Sequence, residues 1–583
     1  MNGILYYDIE VFKFNNMAVF KNYEGDTVKV FANDISGLGD LFDRGIAEMG
    51  YSRLRDYVEG YTLIGYNNHW YDDYILEAMS RGLSDKHIKE WNDSIIKGTS
   101  RAGMVKFTKC KTLDTFQQID VSRPGLKKVE GNMGVSIEES KIDFNIDRKL
   151  TPAEIYETFK YCEYDVGQTR VIHQMRGNYF KSKESIVKML PKELQEKACK
   201  WNTTSIIGQI LKPTRKAPSR RLVPDEMLEL VPPAVAEMWR ELDTTVSFKF
   251  KKKKVIIEEF GNTIEFGWGG LHGVPKVYIK RSDVKLADAA SMYPNIIINL
   301  KGLGDKTPDY KDILDYRLQL KHQGKKEEEA PYKLILNSTY GLLNNQYSHL
   351  YNPHLAYSVC IYGQISLYVL SQRLAAIGAE IININTDGVA YVYEGTKDKL
   401  IKEQWEKDFT LVLETEHFTN WYQVDVNNYL AVGADGKLTT KGGYANKYHK
   451  PRYFSNNDIR IVQIALVDHI LYGKDVVETL MENLDNPNLY QYVLQAGGTY
   501  RGVVNSHKPD ELLPTKVNRI FAIKEKGLEI VKKRMDGGLV KFADAPSNMY
   551  LWNADLKELK NFKDIVDLQW YYDLTLKNLE KWK

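Results

Sequence analysis

Asp288-Ala289-Ala290-Ser291-Met292-Tyr293-Pro294 follows the strand-like run Val284–Ala287. This places Asp288 at a strand end and Tyr293 in a turn that opens a helix. A structural aspartate before a helix would account for Asp288 alone, but it gives no reason for Ser-Met-Tyr-Pro. Downstream, Asp309–Leu343 has helical patterning, broken at Gly324 and at the mixed-charge run Lys325–Glu329. Two antiparallel helices with a polar tip are expected. On the second, Lys333, Asn337 and Tyr340 fall at i, i+4 and i+7, one stripe of a helix; on the first, Arg317 and Lys321 are spaced i, i+4. Asn385-Thr386-Asp387-Gly388 then lies between the β-like runs Ile381–Ile384 and Val389–Tyr393, which predicts a hairpin with an acidic tip.

A second set of acidic residues lies near the N-terminus. Asp8-Ile9-Glu10 ends the strand-like run Ile4–Tyr7, so both carboxylates point to one face. Alone this reads more readily as a solvated turn than as a metal site. Asn68-His69-Trp70-Tyr71-Asp72 follows another β-like run, and Tyr161 and Asp165 lie one helical turn apart. Four carboxylates and a tyrosine in these contexts suit phosphodiester hydrolysis, where two divalent ions about 3.5–4 Å apart activate water and stabilise the leaving oxygen.

The 583 residues predict several packed units, and 43% hydrophobic with 27% charged residues support real cores. A net charge of +3 does not by itself point to nucleic acid. Cys110, Cys162, Cys199 and Cys360 form no C-x-x-C pair, which argues against zinc, iron–sulfur or disulfide frameworks and for a reducing compartment. No signal-like segment or long apolar run is seen, so a cytoplasmic location is expected, the host cytoplasm if the chain is viral, with no membrane partner.

Taken together the motifs resemble those of family B DNA polymerases with a 3′→5′ proofreading exonuclease. Asp288–Pro294 resembles motif A (D-x-x-S-L-Y-P). Lys333–Gly341 matches motif B (K-x-x-x-N-S-x-Y-G). Asn385–Gly388 is similar to motif C, usually D-T-D-S, with asparagine for the first aspartate and glycine for the serine. The Asp8/Glu10, Asn68–Asp72 and Tyr161/Asp165 segments resemble the three exonuclease motifs. The resemblance implies that Asp288, the Ala289 carbonyl and Asp387 hold two Mg²⁺, for which Mn²⁺ can substitute. It implies likewise that Asp8, Glu10, Asp72 and Asp165 hold the exonuclease pair, while Tyr161 orients water. Tyr293 becomes the gate against a ribose 2′-hydroxyl, and Arg317, Lys321, Lys333, Asn337 and Tyr340 become dNTP contacts.

DNA contacts are implied for Asn68, Tyr71 and Leu126, the last within Gly125–Val129, where glycine replaces the usual serine or threonine. Lys141 takes the place of a lysine near the scissile phosphate. Gly269 and Gly270, in Gly267–Gly270, read either as a template-contacting glycine motif or as a plain tight turn, and Lys441 and Tyr444 resemble a primer-gripping motif. Lys251–Lys254 and Lys532–Arg534 could track phosphates or be solvated faces. Trp552, Trp570 and Trp582 could stack bases or pack in the core.

The implied architecture is α/β and α+β multidomain: a ribonuclease H-like exonuclease domain (1–195), a connecting segment (196–265), palm (266–305 and 345–440), fingers (306–344), and thumb with C-terminal region (441–583). Only 45 residues separate 288 from 333 and 54 separate 333 from 387. The overall size resembles compact bacteriophage enzymes that prime from a protein, but these intervals leave no room for their insertions, so a compact bacteriophage-type replicative enzyme that extends nucleic-acid primers, displaces strands poorly and needs a partner or its C-terminal region for processivity is expected. Its partners would be primer–template DNA, dNTPs, and candidate processivity, primase/helicase or single-strand-binding proteins. The alternative is a nuclease-dominant enzyme with a weakened polymerase site, suggested by Asn385 and Gly388.

Overall fold

The computed structural model describes residues 3–99, 101–242, 252–455 and 459–583. Among the described residues it is a mixed α/β structure with four sheets, and the chain divides into two compact units. Among the described residues no helix is long and apolar enough to cross a membrane.

One unit comprises Met1–Asn202, Pro451–Ile461 and Leu480–Tyr571. Its larger sheet holds β1 (Ile4–Val11), β2 (Asn16–Lys21), β3 (Thr27–Ala32), β4 (Ala47–Met49), β5 (Thr62–Gly65) and β6 (Lys111–Asp114), in the order β4-β3-β2-β1-β5-β6. β1 to β3 form an antiparallel meander, and β5 and β6 extend it in parallel from β1. Alternation decides which side chain faces which layer. Leu5, Tyr7, Ile9 and Val11 pack with Ile75, Leu76 and Met79 of the Asp72–Ser80 helix. Tyr6 faces the opposite layer, formed by Ile155, Phe159, Cys162 and Val166 of the Pro152–Met175 helix. That helix begins at a Thr151/Glu154 capping box with proline in its first turn, which fixes its start.

The Leu480–Tyr571 part of this unit adds a three-stranded and a four-stranded antiparallel sheet. It is bolted to the Leu126–Met133 helix. Arg519, fully buried, donates to the carbonyls of Gly131 (3.2 Å), Val135 (2.5 Å) and Ala554 (2.7 Å), Gln491 donates to the Asn132 carbonyl (3.0 Å), and the Lys128 ammonium donates to the Val493 carbonyl. The guanidinium thus supplies charged donors to backbone carbonyls at and beyond the end of that helix and in the Leu480–Tyr571 part.

The other unit comprises Thr203–Lys450, Val462–Thr479 and Tyr572–Lys583. Its nine-stranded sheet contains β7 (Val255–Glu259), β8 (Asn262–Phe266), β9 (His272–Val274), β10 (Ile279–Ala289), β11 (Glu380–Asn385), β12 (Gly388–Val392), β13 (Leu413–Asp425), β14 (Asn428–Gly433) and β15 (Leu438–Lys441). The order is β15-β14-β13-β10-β12-β11-β9-β8-β7, so long β10 and β13 lie inside the sheet. The Pro353–Ala376 helix is buried along most of its length, as an almost uninterrupted apolar sequence requires. Helices Thr307–His322 and Lys326–Leu343 form the expected pair, separated at Gly324, whose φ of +70° glycine adopts without strain.

Candidate active sites

The first centre is built on β1. Period-two alternation places Asp8 and Glu10 on the face of Tyr6, toward the helix that carries Tyr161 and Asp165. Asp72 is the first residue of the Asp72–Ser80 helix, entered through Asn67 in left-handed conformation. Its neighbour Asp73 is a structural acceptor, bonded by Tyr7 Oη (2.6 Å), Asn68 Nδ2 (3.0 Å) and Thr112 Oγ1 (3.0 Å). Asp72 Oδ1 is buried and has no hydrogen-bond partner among the described residues.

Burial first, then the Asp165 charge, raises the Asp8 carboxyl to about 7. Burial and the Asp8 charge hold both Glu10 and Asp72 well above the usual carboxylate range. Burial raises Asp165 as well, against the opposing pull of Lys127. So many carboxylates at close range cannot all ionise without added positive charge. Ligand atoms of Asp8, Glu10 and Cys162 lie within 4.8 Å of one another. The orphaned Asp72 oxygen and the mainly carboxylate donor set fit a hard divalent cation such as Mg²⁺ or Mn²⁺.

Lys127, which the sequence did not single out, enters this cluster. Its ammonium donates to Asp165 Oδ1 at 2.5 Å, lies 3.5 Å from Glu130 Oε1 and sits 4.7 Å from the centre of the Tyr161 ring. Lys141 instead pairs with Glu157 at 2.9 Å, its side chain 84% exposed. Asn68 is fully buried, Tyr71 Oη donates to Asn92 Oδ1 (2.7 Å), and Leu126 packs beside Val129 and Ile172.

The second centre is built on β10. Its register sets Asp288 opposite Gly388 of β12 on one side and Glu414 of β13 on the other. The β11–β12 turn places Thr386 at φ +52°, and the Ala289 amide donates to the Asp387 carbonyl at 2.7 Å. The two aspartates therefore meet at one sheet end. Burial, followed by the charges of Asp387, Glu416 and Glu414, raises Asp288 to about 7. Burial raises Asp387 too, with Lys441 acting in the opposite sense. The donor set again fits a hard divalent cation. Glu414 and Glu416 were missed in the sequence, although Glu-Thr-Glu carries the same alternation as Asp-Ile-Glu at residues 8–10.

The two unusual hairpin residues are both used. A Cβ on Gly388 would stand 3.1 Å from Asp288 Oδ1, so glycine lets the carboxylate lie against the strand. Asn385 Nδ2 donates to the Val426 carbonyl at 3.0 Å, while its Oδ1 accepts from Thr386 Oγ1 at 3.1 Å. The glycine turn closes on the same tip. A Cβ on Gly270 would meet Thr386 atoms at 2.5–2.8 Å, and the Gln364 amide donates to the Gly267 and Gly269 carbonyls at 2.7 and 2.8 Å.

Ser291 adopts φ +49° before the Met292–Asn299 helix, and its hydroxyl accepts from Arg317 at 2.9 Å. Arg317 also pairs with Glu329 (2.9 Å), and Lys321 pairs with Glu414 (2.9 Å). The Tyr293 and Tyr340 ring centres are 4.7 Å apart, with Tyr340 Oη 2.7 Å from Cys360 Sγ. Lys333 and Asn337 are exposed on one face of their helix. Lys441 ends β15, and Tyr444 Oη accepts from Lys581 (2.7 Å).

Several of the remaining basic and aromatic candidates have internal partners. Lys253 and Lys254 pair with Glu241 and Glu265, whereas Lys251 lies outside the described residues. Lys532 lies over the Tyr500 ring, Lys533 donates to the Pro509 carbonyl, and Trp582 is buried with its ring edge-on to Tyr278.

Fold and sites thus define a mixed α/β chain with two separate carboxylate centres, each suited to divalent metal. The sequence is similar to DNA polymerase 1 of Sulfolobus acidocaldarius, 24% identical over 229 residues, covering 38% of this chain and 24% of that protein. DNA polymerase 1 of Sulfurisphaera ohwakuensis is 26% identical over 162 residues, covering 26% of this chain and 18% of that protein. DNA polymerase 1 of Pyrococcus abyssi is 26% identical over 147 residues, covering 24% and 18%. The matched segments therefore span about a quarter or less of these relatives. A family B DNA polymerase structure from Pyrobaculum calidifontis aligns with 94% of this chain and 75% of its own, at 15% identity and a TM-score of 0.41. No family model matches the chain.

Proposed function

We propose that this chain is a DNA-directed DNA polymerase carrying a 3′→5′ proofreading exonuclease. The observation that carries this reading is the convergence of Asp288 and Asp387 at one end of the nine-stranded sheet, with the Tyr293/Tyr340 pair on the helices that follow. A second, independent carboxylate cluster lies on β1. Similarity to DNA polymerase 1 from three archaea supports it.

On this reading Asp288, the Ala289 carbonyl and Asp387 would hold Mg²⁺, and Asp8, Glu10, Asp72 and Asp165 would hold the exonuclease metals. When bound, these ions supply Lewis acidity at phosphoryl oxygens and an activated nucleophile at neutral pH. The protein orients the rest. Arg317, Lys321 and Lys333 neutralise the triphosphate, and Lys321 exchanges Glu414 for phosphate as it does so. The Tyr293 ring, packed against Tyr340, blocks a 2′-hydroxyl by bulk. Gly388 and the Ala289–Asp387 hydrogen bond keep both aspartates aimed at the reacting phosphate. In the other centre Tyr161 orients the attacking water.

Residues 1–195 would form the exonuclease, 266–305 with 345–440 the palm, 306–344 the fingers and 441–583 the thumb and C-terminal region. A compact phage-type replicative role belongs to this reading, the short intervals between motifs leaving no room for protein-priming insertions. The reading is tested by incorporation of a single templated nucleotide with Mg²⁺. Correct dNTP should be added and the matching rNTP refused, and Tyr293→Ala should admit the rNTP. A chain that adds no templated nucleotide, even with Asp8→Ala present to spare the primer, would overturn it.

A further inference from the structure

Within the first centre, Lys127 is the cation placed against Asp165. It reaches in from the first turn of the Leu126–Met133 helix, its side chain 13% exposed, and sits 2.5 Å from Asp165 Oδ1 and 3.5 Å from Glu130 Oε1. Its position 4.7 Å from the Tyr161 ring centre lets one ammonium hold both Tyr161 and Asp165, one turn apart on their helix. The helix bearing Lys127 is itself fixed. Lys128 points the other way, to the Val493 carbonyl, and Arg519 binds the carbonyls of Gly131 and Val135. Among the described residues the ammonium makes its ion pairs with Asp165 and Glu130, while Asp8 and Glu10 feel its charge without pairing with it.

An ammonium on Asp165 and a divalent ion on Asp165 are alternatives for the same oxygen. We propose that Lys127 is a positioning residue of the exonuclease centre that competes with one of its two metal ions at Asp165 and so sets the metal concentration at which that second ion binds. This rests on the exonuclease reading above. The ion held by Asp8 and Glu10 binds first. The second enters when Lys127 leaves Asp165, and the released ammonium is then near enough to meet an incoming phosphate.

The test is Mn²⁺ binding, followed by electron paramagnetic resonance on the 583-residue chain carrying Asp288→Asn and Asp387→Asn, so that only the first centre contributes. The account expects one tighter and one weaker ion. Lys127→Gln should tighten the weaker ion about tenfold or more and leave the tighter one within about twofold. Lys127→Arg, which keeps the charge, should resemble the unsubstituted protein in its Mn²⁺ affinities. Unfolding temperatures of both variants in EDTA separate a binding effect from loss of fold, and should Lys127→Gln fail to fold, a weaker ion bound as tightly by Lys127→Arg as by a Lys127→Met chain would still overturn the proposal. Unchanged or weaker binding of the second ion in a folded Lys127→Gln chain overturns it too. If Asp8→Ala binds as many ions as the unsubstituted chain, the exonuclease reading itself fails instead.

Discussion

The centre on β1 and the centre on β10 hold their carboxylates by different means. The first draws on three elements far apart in sequence, buries Glu10, Asp72 and Asp165 with Asp8 half-buried beside them, and places an ammonium, Lys127, inside the cluster. The second comes from neighbouring strands of one antiparallel sheet, leaves Asp288 and Asp387 partly accessible, and has its cations on surrounding helices and a strand end. A buried cluster has to be neutralised by the protein itself, whereas an accessible one can leave that to substrate and solvent ions. The first centre should therefore be the more sensitive in stability to changes of charge, and the second in catalysis.

The largest expected effects separate the two centres. Asp387→Ala should lower templated extension by on the order of 10³-fold or more, since metal-assisted charge stabilisation is worth several kcal/mol, with degradation of single-stranded primer unaffected in a gel assay. Next comes acidity. Because Asp288 sits at about 7 through burial and its acidic neighbours, a cation must displace a proton from it below that pH. The Mg²⁺ concentration giving half-maximal extension should rise roughly fivefold from pH 7 to pH 6, as measured by Mg²⁺ titration of incorporation rate; an unchanged requirement would remove the electrostatic argument for the second centre.

Asn385→Asp replaces the donor to Val426 with a carboxylate facing a carbonyl. The lost bond is worth about 1 kcal/mol, and single-nucleotide incorporation should slow about fivefold. A faster enzyme would show instead that the asparagine is a defect. The smallest effect is on metal-free stability. The folded chain keeps protons on Asp288 between the ordinary aspartate value of 3.8 and about 7, where the unfolded chain has lost them. Stability in EDTA accordingly falls as pH rises through this window. Asp288→Asn should raise the unfolding temperature at pH 8 by roughly 2 °C, and Asp8→Asn, by the same sign, at least as much.

Much of this arrangement was legible wherever local pattern and partner agreed. The strand at Ile4 appears as β1, and the helix pair breaks at Gly324. The hairpin at Asp387 appears as β11 and β12. Glu414 and Glu416 escaped because β13 begins at Leu413, in a polar, exposed stretch that reads as loop until Tyr422. Lys127 escaped because its partners lie 38 residues away in Asp165 and across a helix turn in Glu130, and nothing local distinguishes it from Lys128. The joining of Leu480–Tyr571 to the N-terminal 202 residues was equally illegible. It rests on Arg519, Gln491 and Lys128, whose partners across the joint are carbonyls, and backbone acceptors leave no trace in sequence.

The most direct test of two independent centres is to measure primer extension and primer degradation together on one primed template with Mg²⁺ and four dNTPs. The unsubstituted chain, Asp8→Ala and Asp387→Ala would be compared. The account predicts that Asp387→Ala degrades but does not extend, and that Asp8→Ala extends but does not degrade. Loss of both activities in either variant, with fold intact, or degradation alone in the unsubstituted chain with no extension from Asp8→Ala, would contradict it.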